Sequence, residues 1–394
     1  MTKRSITEAD VRGKRALVRV DFNVPLRDGE VADDTRIRAA LPTIQFLLDR
    51  GAAVVLATHL GRPKGKLDPK YSVAPVAHRL STLLGRPVVT VPVVVGAEAE
   101  RAANALHPGD VLLLENTRFE SGEESNASDL AAALSRLGDL FVNDAFGAAH
   151  RAHASTVGVA NLLPAYAGLL LQREETALWR LLNNPQRPFV AVLGGAKVSD
   201  KFAVIEHLLF RVNTLLLGGG MANTVLLAQG HQIGSSLAEP DRVVDARRLI
   251  ESANERGVLM AVPTDVIVAE SLDSTRTKVA PIGAIPVDQA IFDIGPETVA
   301  RYCQQIADAR TIFWNGPMGV FERAQFANGT LGIARCVADA SGYTVVGGGD
   351  SLAAIEVAGV AEGIDHISTG GGASLEYLEG RILPGIAALP DAEA

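Results

Sequence analysis

At 394 residues the chain exceeds what one ordinary hydrophobic core organises, so its length predicts two domains. Hydrophobic residues make up 47% and aromatics only 5%, a palette of Val, Ile, Leu and Ala suited to buried parallel strands and covering helices. A net charge of −8 argues against a nucleic-acid surface, and the longest apolar stretch, "LLPAYAGLLL", is short and broken by Pro164, which argues against a membrane span.

The N-terminal "MTKRSITEAD" has no apolar h-region, so no signal peptide is expected. The apolar runs "RALVRVDFN", "AAVVLATHLGRP", "VLLLENTRF" and "LFVNDAFGAAHR" then read as strands of the first half. Each ends in a polar payload: Asp21 and Asn23 after the first, His59 and Arg62 after the second, Arg118 and Arg151 after the next two. Arg36 opens the helical segment "RIRAALPTIQFLL". Singly, each of these reads as a surface or ion-paired residue. Together they put four arginines and a histidine on one rim, and guanidinium forks match carboxylate and phosphate bidentately. The cluster therefore predicts a small ligand carrying both groups. His150 and His153 in "AHRAH" lack the neighbouring carboxylate or thiolate pattern of a metal site.

"LLLQREETALWRLLNN" has helical periodicity and closes on the breaker cluster "NPQRP", which places the domain junction there with the helix as connector. Beyond it, "FVAVLGG", "TLLLGGG", "LMAVPTD", "TIFWNGP" and "YTVVGGG" read as strands of a second parallel sheet. The βα alternation predicts an α/β fold of two doubly wound, Rossmann-like domains joined by a helix, with a hinged cleft. Four apolar runs of this half, beginning at Val190, Leu215, Tyr343 and His366, end in glycine clusters that precede helix starts. Bare amides at a helix N-terminus favour anions, so the recurrence predicts a phosphate-binding rim.

Lys197 and Lys201, four residues apart beside "GGAK", oppose the dipole of the helix predicted to start there and repel each other. Either both are solvated or a polyanion compensates them. Asp350 suits an N-cap or a Mg²⁺ ligand bridging phosphates, and Glu322 either ribose hydroxyls or solvent. The first 170 residues carry 20 Lys and Arg against 19 Asp and Glu, the remainder 17 against 26. The first half could hold an anion with side chains, whereas the acidic second half needs glycine amides, a few lysines or a metal. Cys303 and Cys336 have no metal-site spacing and form no framework, so a reducing compartment is expected. No P-loop occurs, and no dinucleotide fingerprint follows the first strand; a rival two-domain oxidoreductase would need that fingerprint, and the absence of NAD(P)H-dependent turnover would dispose of it. A two-lobed anion-binding protein without catalysis would explain the rim and hinge but not the two lysines.

The segments "RVDFNVP", "HLGRP", "LLENTRF", "NDAFGAAHRAHAS", "GGAKVSDK", "WNGPMGVFE", "VVGGGDS" and "STGGGAS", in that order across nearly the whole chain, resemble the phosphoglycerate kinase family. The resemblance implies reversible transfer of the acyl phosphate of 1,3-bisphosphoglycerate to ADP, giving 3-phosphoglycerate and ATP with Mg²⁺, in the cytoplasm. It implies that Asp21, Asn23, Arg36, His59, Arg62, Arg118 and Arg151 hold the glycerate. Lys197, Lys201, Asn315, Glu322, Gly348, Gly349, Asp350 and Ser351 are implied to hold the nucleotide, with Asp350 toward the metal. Residues 1–168 would bind 3-phosphoglycerate, 169–379 the nucleotide, and 380–394 would return to the first domain. Small molecules are then the expected partners, and a monomer is the default.

The chemistry agrees without the family. The nucleophile is an ADP phosphate oxygen or, in reverse, an ionised carboxylate, so no general base is needed. Catalysis reduces to positioning and charge stabilisation of the phosphoryl group, with Arg36 and Lys197 as candidates, assisted by Lys201 and the amides of Gly349 and Gly372.

Overall fold

The structure is a computed structural model that describes residues 3–392. Two compact units emerge from its contacts: one runs to Thr176 and takes back the chain from Ile382, and the other is Ala177–Arg381. The division falls inside the helix Leu169–Asn183 rather than at its start. Of the spans expected from sequence, Met1, Thr2, Glu393 and Ala394 lie outside the described residues.

In the first unit, strands β1 (Arg15–Arg19), β2 (Ala53–Ala57), β3 (Val89–Thr90), β4 (Val111–Leu113), β5 (Leu140–Asn143) and β6 (Ala165–Ala167) form one sheet in the order β3-β4-β2-β1-β5-β6. Every pairing is parallel. The central strands are buried on both faces, which is why they read as unbroken apolar runs. Val18, Val54 and Leu56 pack with Ile37 and Ile44 from the helix Thr35–Asp49 in the core of this unit. Residues after Ile382 close on the same unit: Asn143 Nδ2 donates to the Gly385 carbonyl, and Gly385 N to the Ala149 carbonyl.

The second unit repeats the plan. Strands β7 (Phe189–Leu193), β8 (Thr214–Leu217), β9 (Leu259–Ala261), β13 (Thr311–Asn315), β14 (Tyr343–Gly347) and β15 (His366–Ile367) form a parallel sheet ordered β9-β8-β7-β13-β14-β15. Its core gathers Val190, Val192, Ile312, Trp314, Val346 and Ile333. Between β9 and β13 the chain adds a sheet that the sequence pattern did not disclose, an antiparallel trio of β10 (Asp265–Ala269), β11 (Lys278–Pro281) and β12 (Ala290–Ile294).

One expectation is corrected here. Cys303 and Cys336 are disulfide-bonded, with 5.4 Å between their Cα atoms. They lie on the helices Pro296–Ala307 and Asn328–Ala338, which pack side by side, and a separation of 33 residues in sequence gives no hint of that contact. The pair therefore does not by itself argue for a reducing compartment.

Candidate active site

In both sheets the chain leaves the middle strand in one direction and later returns on its other side, which creates a switch point where loops at the strands' carboxyl ends diverge. In the first unit this point lies between β1 and β5, and the polar payloads follow β4, β2, β1 and β5, four neighbouring strands. Asp21, directly beyond β1, accepts from Arg36 Nη1 at 3.2 Å, and the Asn23 carbonyl accepts from the same nitrogen at 3.2 Å. Asn23 Oδ1 accepts from Gly61 N at 2.9 Å, which ties the loop after β1 to the one after β2. The Gly61 carbonyl in turn accepts from Arg118 Nη1 at 2.7 Å. Asp21, Asn23, Arg36, His59 and Arg118 are thereby linked in one network, with Arg62 next to Gly61 and exposed. Arg151 is exposed beyond β5, its Nε against His150 Nε2 at 3.1 Å, and lies close enough to Arg118 for the two charges to repel.

The basic cluster has electrostatic consequences. Burial, then the charges of Arg19, Arg118, His153 and Arg36, hold the His59 imidazole well below its ordinary pKa. Burial, followed by Arg19 and Arg118, pushes His153 down to about 4. Both histidines are neutral near pH 7, and the rim's positive charge is arginine alone. Sequence reasoning passed over Arg19, which is fully buried although it ends a strand otherwise lined by Leu17 and Val18. A lone arginine within such a run was the available signal.

In the second unit the switch point lies between β7 and β13, and Lys201 spans it. Its Nζ donates to the Gly194 carbonyl at 2.5 Å and to the Asn315 carbonyl at 3.0 Å, one at the end of each strand. The helix expected from Lys197 begins only at Phe202, preceded by a tight turn over Ser199–Lys201. Lys201 therefore turns inward instead of lying along a helix face, while Lys197 stays exposed. Burial pulls the Lys201 ammonium down to about 8, against the opposing pull of Asp350 and Asp200. Gly316 makes this approach possible: it has φ +92°, and a Cβ there would come within 2.5 Å of Lys201 Nζ.

Next to this lysine, whose Nζ lies 3.6 Å from where a Gly195 Cβ would stand, a cavity of about 660 Å³ is bordered by Gly195, Gly219, Gly220, Glu322 and Asp350. Its apolar wall, Leu237, Leu272, Phe292, Met318 and Val320, draws partly on the antiparallel trio and was not visible in the sequence. Helices begin at Gly349 and Gly372, and a Cβ at either would meet nothing within 4 Å. Gly348 precedes the first of them at φ +91°, beside the Asn315 side chain. Asn315 is nearly buried. Ser351 is fully buried, and its Oγ accepts from Gly316 N at 2.6 Å, so it braces β13 against the helix that starts at Gly349. Among the described residues, no group of three or more His, Cys, Asp or Glu could hold a metal ion by itself. Asp350, exposed in the first turn of its helix, is a single carboxylate on the cavity rim.

A family model for phosphoglycerate kinase matches residues 6–381. The chain belongs to the phosphoglycerate kinase family. It is 58% identical to the phosphoglycerate kinase of Roseiflexus castenholzii and 57% identical to that of Chloroflexus aurantiacus, each over the full length of both chains. Its fold matches the structure of phosphoglycerate kinase from Coxiella burnetii with a TM-score of 0.89 at 44% identity, covering 98% of each chain. The Pyrococcus horikoshii enzyme follows with a TM-score of 0.87 at 35% identity, again covering 98% of each. The chain is thus a phosphotransferase of glycolysis, catalysing the phosphoglycerate kinase reaction on small-molecule substrates. No helix among the described residues is long and apolar enough to cross a membrane.

Proposed function

We propose that the first unit holds 3-phosphoglycerate or 1,3-bisphosphoglycerate on its arginine rim and the second holds ADP or ATP in the glycine-bordered cavity. The observation that carries this reading is Lys201, a half-buried ammonium fixed across the switch point of an otherwise acidic unit, where a polyphosphate supplies the missing counter-charge. The apolar wall suits the flat face of a base, and Glu322 suits the ribose hydroxyls. Asp21 and Asn23 bind the glycerate between the guanidinium groups of Arg36, Arg62, Arg118 and Arg151.

No general base is required, because each attacking oxygen is already ionised. Arg36 and Lys197 stabilise the charge on the transferring phosphoryl group, aided by Lys201 and the amides of Gly349 and Gly372. Asp350 suits Mg²⁺, which binds through one or two carboxylates plus substrate phosphates rather than in an all-protein cage. When bound, that ion neutralises phosphate charge. Direct transfer needs reacting atoms about 3–3.5 Å apart, so the two loaded units must close on each other in the catalytic cycle. We also read the enzyme as a cytoplasmic monomer. The compartment rests on the family's reaction, because the Cys303–Cys336 bond gives it no support.

Calorimetry on the separate ligands tests the division of labour. Arg62→Ala weakens 3-phosphoglycerate binding and spares ADP, whereas Glu322→Ala does the reverse. Equal losses of both ligands in either variant would show that the two sites are wrongly assigned.

A further inference from the structure

Beneath the arginine rim lies a buried hydrogen-bond relay. Glu123 Oε1 accepts from Ser155 Oγ at 2.5 Å and Glu123 Oε2 from Ser155 N at 3.0 Å. With its proton given to Glu123, the Ser155 hydroxyl presents a lone pair to Arg19 Nε, 2.8 Å away. Arg19 Nη1 donates to the Val20 carbonyl, and Nη2 lies 3.0 Å from His59 Nδ1. All five donors of a guanidinium are N–H groups and it accepts nothing, so this last contact has only one polarity: Nδ1 must be the acceptor.

We propose that Arg19 is a positioning residue that holds His59 as the neutral Nε2–H tautomer, aiming a fixed hydrogen-bond donor at an anionic oxygen of 3-phosphoglycerate. The proposal rests on the assignment of the glycerate to this rim. Arg19 does not reach the ligand itself, being fully buried. Both close polar contacts of the ring, to Arg19 at 3.0 Å and to Asp21 at 4.0 Å, are made by Nδ1, so Nε2 is the nitrogen assigned to the substrate. The charged and titratable groups around the ring come from every neighbouring element: Arg19 from β1, Asp21 with Oδ1 4.0 Å from Nδ1, Arg36 from the helix Thr35–Asp49, Arg118 beyond β4, and His153 beyond β5. Four of these five oppose a charged imidazolium, and Asp21 is engaged by Arg36. A rim already rich in cations gains from a neutral donor, because it binds the anion without adding to the repulsion among arginines.

Long-range ¹H–¹⁵N spectra of the imidazole rings in the full chain test this. The wild type should show His59 with a bare Nδ1 and a protonated Nε2 near neutral pH. In Arg19→Met both tautomers should appear and His59 should protonate nearer the ordinary value of about 6.5. KM for 3-phosphoglycerate should then rise roughly tenfold, the scale of one charge-assisted hydrogen bond, while KM for ATP stays put. Arg19→Lys, which keeps a donor, should restore part of the tautomer bias. A wild-type His59 protonated on Nδ1 overturns the proposal outright, and this needs no variant to fold. If His59→Ala leaves KM for 3-phosphoglycerate unchanged, the glycerate assignment fails and takes the proposal with it. If His59→Ala raises that KM but a folded Arg19→Met alters neither tautomer nor KM, the proposal alone falls.

Discussion

The two units share a sheet plan but, on the proposed assignment, meet anions by opposite means. The first uses side chains: guanidinium groups pinned in place by carbonyls and carboxylates, as Arg118 is by Gly61 and Glu124 and Arg36 by Asp21 and Asn23. The second uses backbone: helix starts at Gly349 and Gly372 with open space where side chains would be, and one inward lysine. Arginine forks read a small ligand's shape, because each fork matches one planar or tetrahedral group. Amides at helix ends supply partial charge without net charge, so an acidic unit can still seat a polyphosphate. The pairing suits the shared reaction, in which one partner is small and specific and the other is an extended chain of phosphates.

The largest expected effect tests whether the side-chain strategy extends from binding to chemistry. Arg36 is only partly exposed and already shares its charge with Asp21 at 3.2 Å, so an incoming anion competes for a preoriented donor. If that donor acts on the phosphoryl group in flight, Arg36→Ala lowers kcat by about 10²-fold or more. A raised KM for 3-phosphoglycerate with kcat intact would confine Arg36 to ground-state binding, and the first unit to recognition alone.

Lys201 tests the one place where the backbone strategy relies on a side chain. Lys201→Met should weaken ADP and ATP binding about tenfold or more and leave 3-phosphoglycerate binding to the free enzyme unchanged. With the pKa of the free protein near 8, the charge that attracts phosphates is present below that pH and is lost as pH rises through it. Nucleotide affinity therefore falls above about pH 8 in the wild type, and the fall is absent in Lys201→Met. The effect on folding has the other sign. The cost of burying this ammonium is felt in full below about pH 8 and is relieved by about 10.4, where the unfolded chain also loses the proton. A flat affinity profile from pH 7 to 9, measured by calorimetry, would mean that the lysine does not meet the polyphosphate.

What could be read from the sequence divides along the same line. The parallel strands were legible because burial on both faces forces unbroken apolar runs, and a glycine or polar residue then marks where each one ends. The trio β10, β11 and β12 was not: its strands are as long as the parallel ones, but β11 is mostly exposed, β12 is only partly buried, and the charged "SLDSTRTK" interrupts the pattern. With that sheet went the wall residues Leu272 and Phe292. Motif residues on the first unit's rim could be named one by one, but the relay through Arg19, Ser155 and Glu123 joins residues as far as 136 positions apart. Nothing local reports such a contact. Lys201 was noticed for breaking a helix rule, yet the rule was misapplied, because the helix begins after it and the ammonium is fixed by carbonyls of two strands.

The smallest expected effect is the most direct test of the backbone strategy, since it adds one methyl group and removes nothing. Neither Gly349 nor Gly372 has a positive φ, and a Cβ at either meets no atom within 4 Å, so alanine fits the free protein at both. Alanine also loses less backbone entropy than glycine, so thermal stability should hold or rise by at most about 1 kcal/mol. Gly348 is the contrasting control: at φ +91° and 3.0 Å from Asn315 Nδ2, alanine there is strained before any ligand arrives. If phosphates rest on the bare amides, the new methyl in Gly349→Ala or Gly372→Ala occupies their seat and pushes an oxygen off an N–H. The loss is that of one hydrogen bond, about 2- to 10-fold in ADP affinity, with 3-phosphoglycerate affinity unaltered. Wild-type ADP affinity in both variants would place the phosphates elsewhere. The glycines would then serve packing alone, and the second unit would hold its anion with Lys201 and a metal, by charges, as the first unit does.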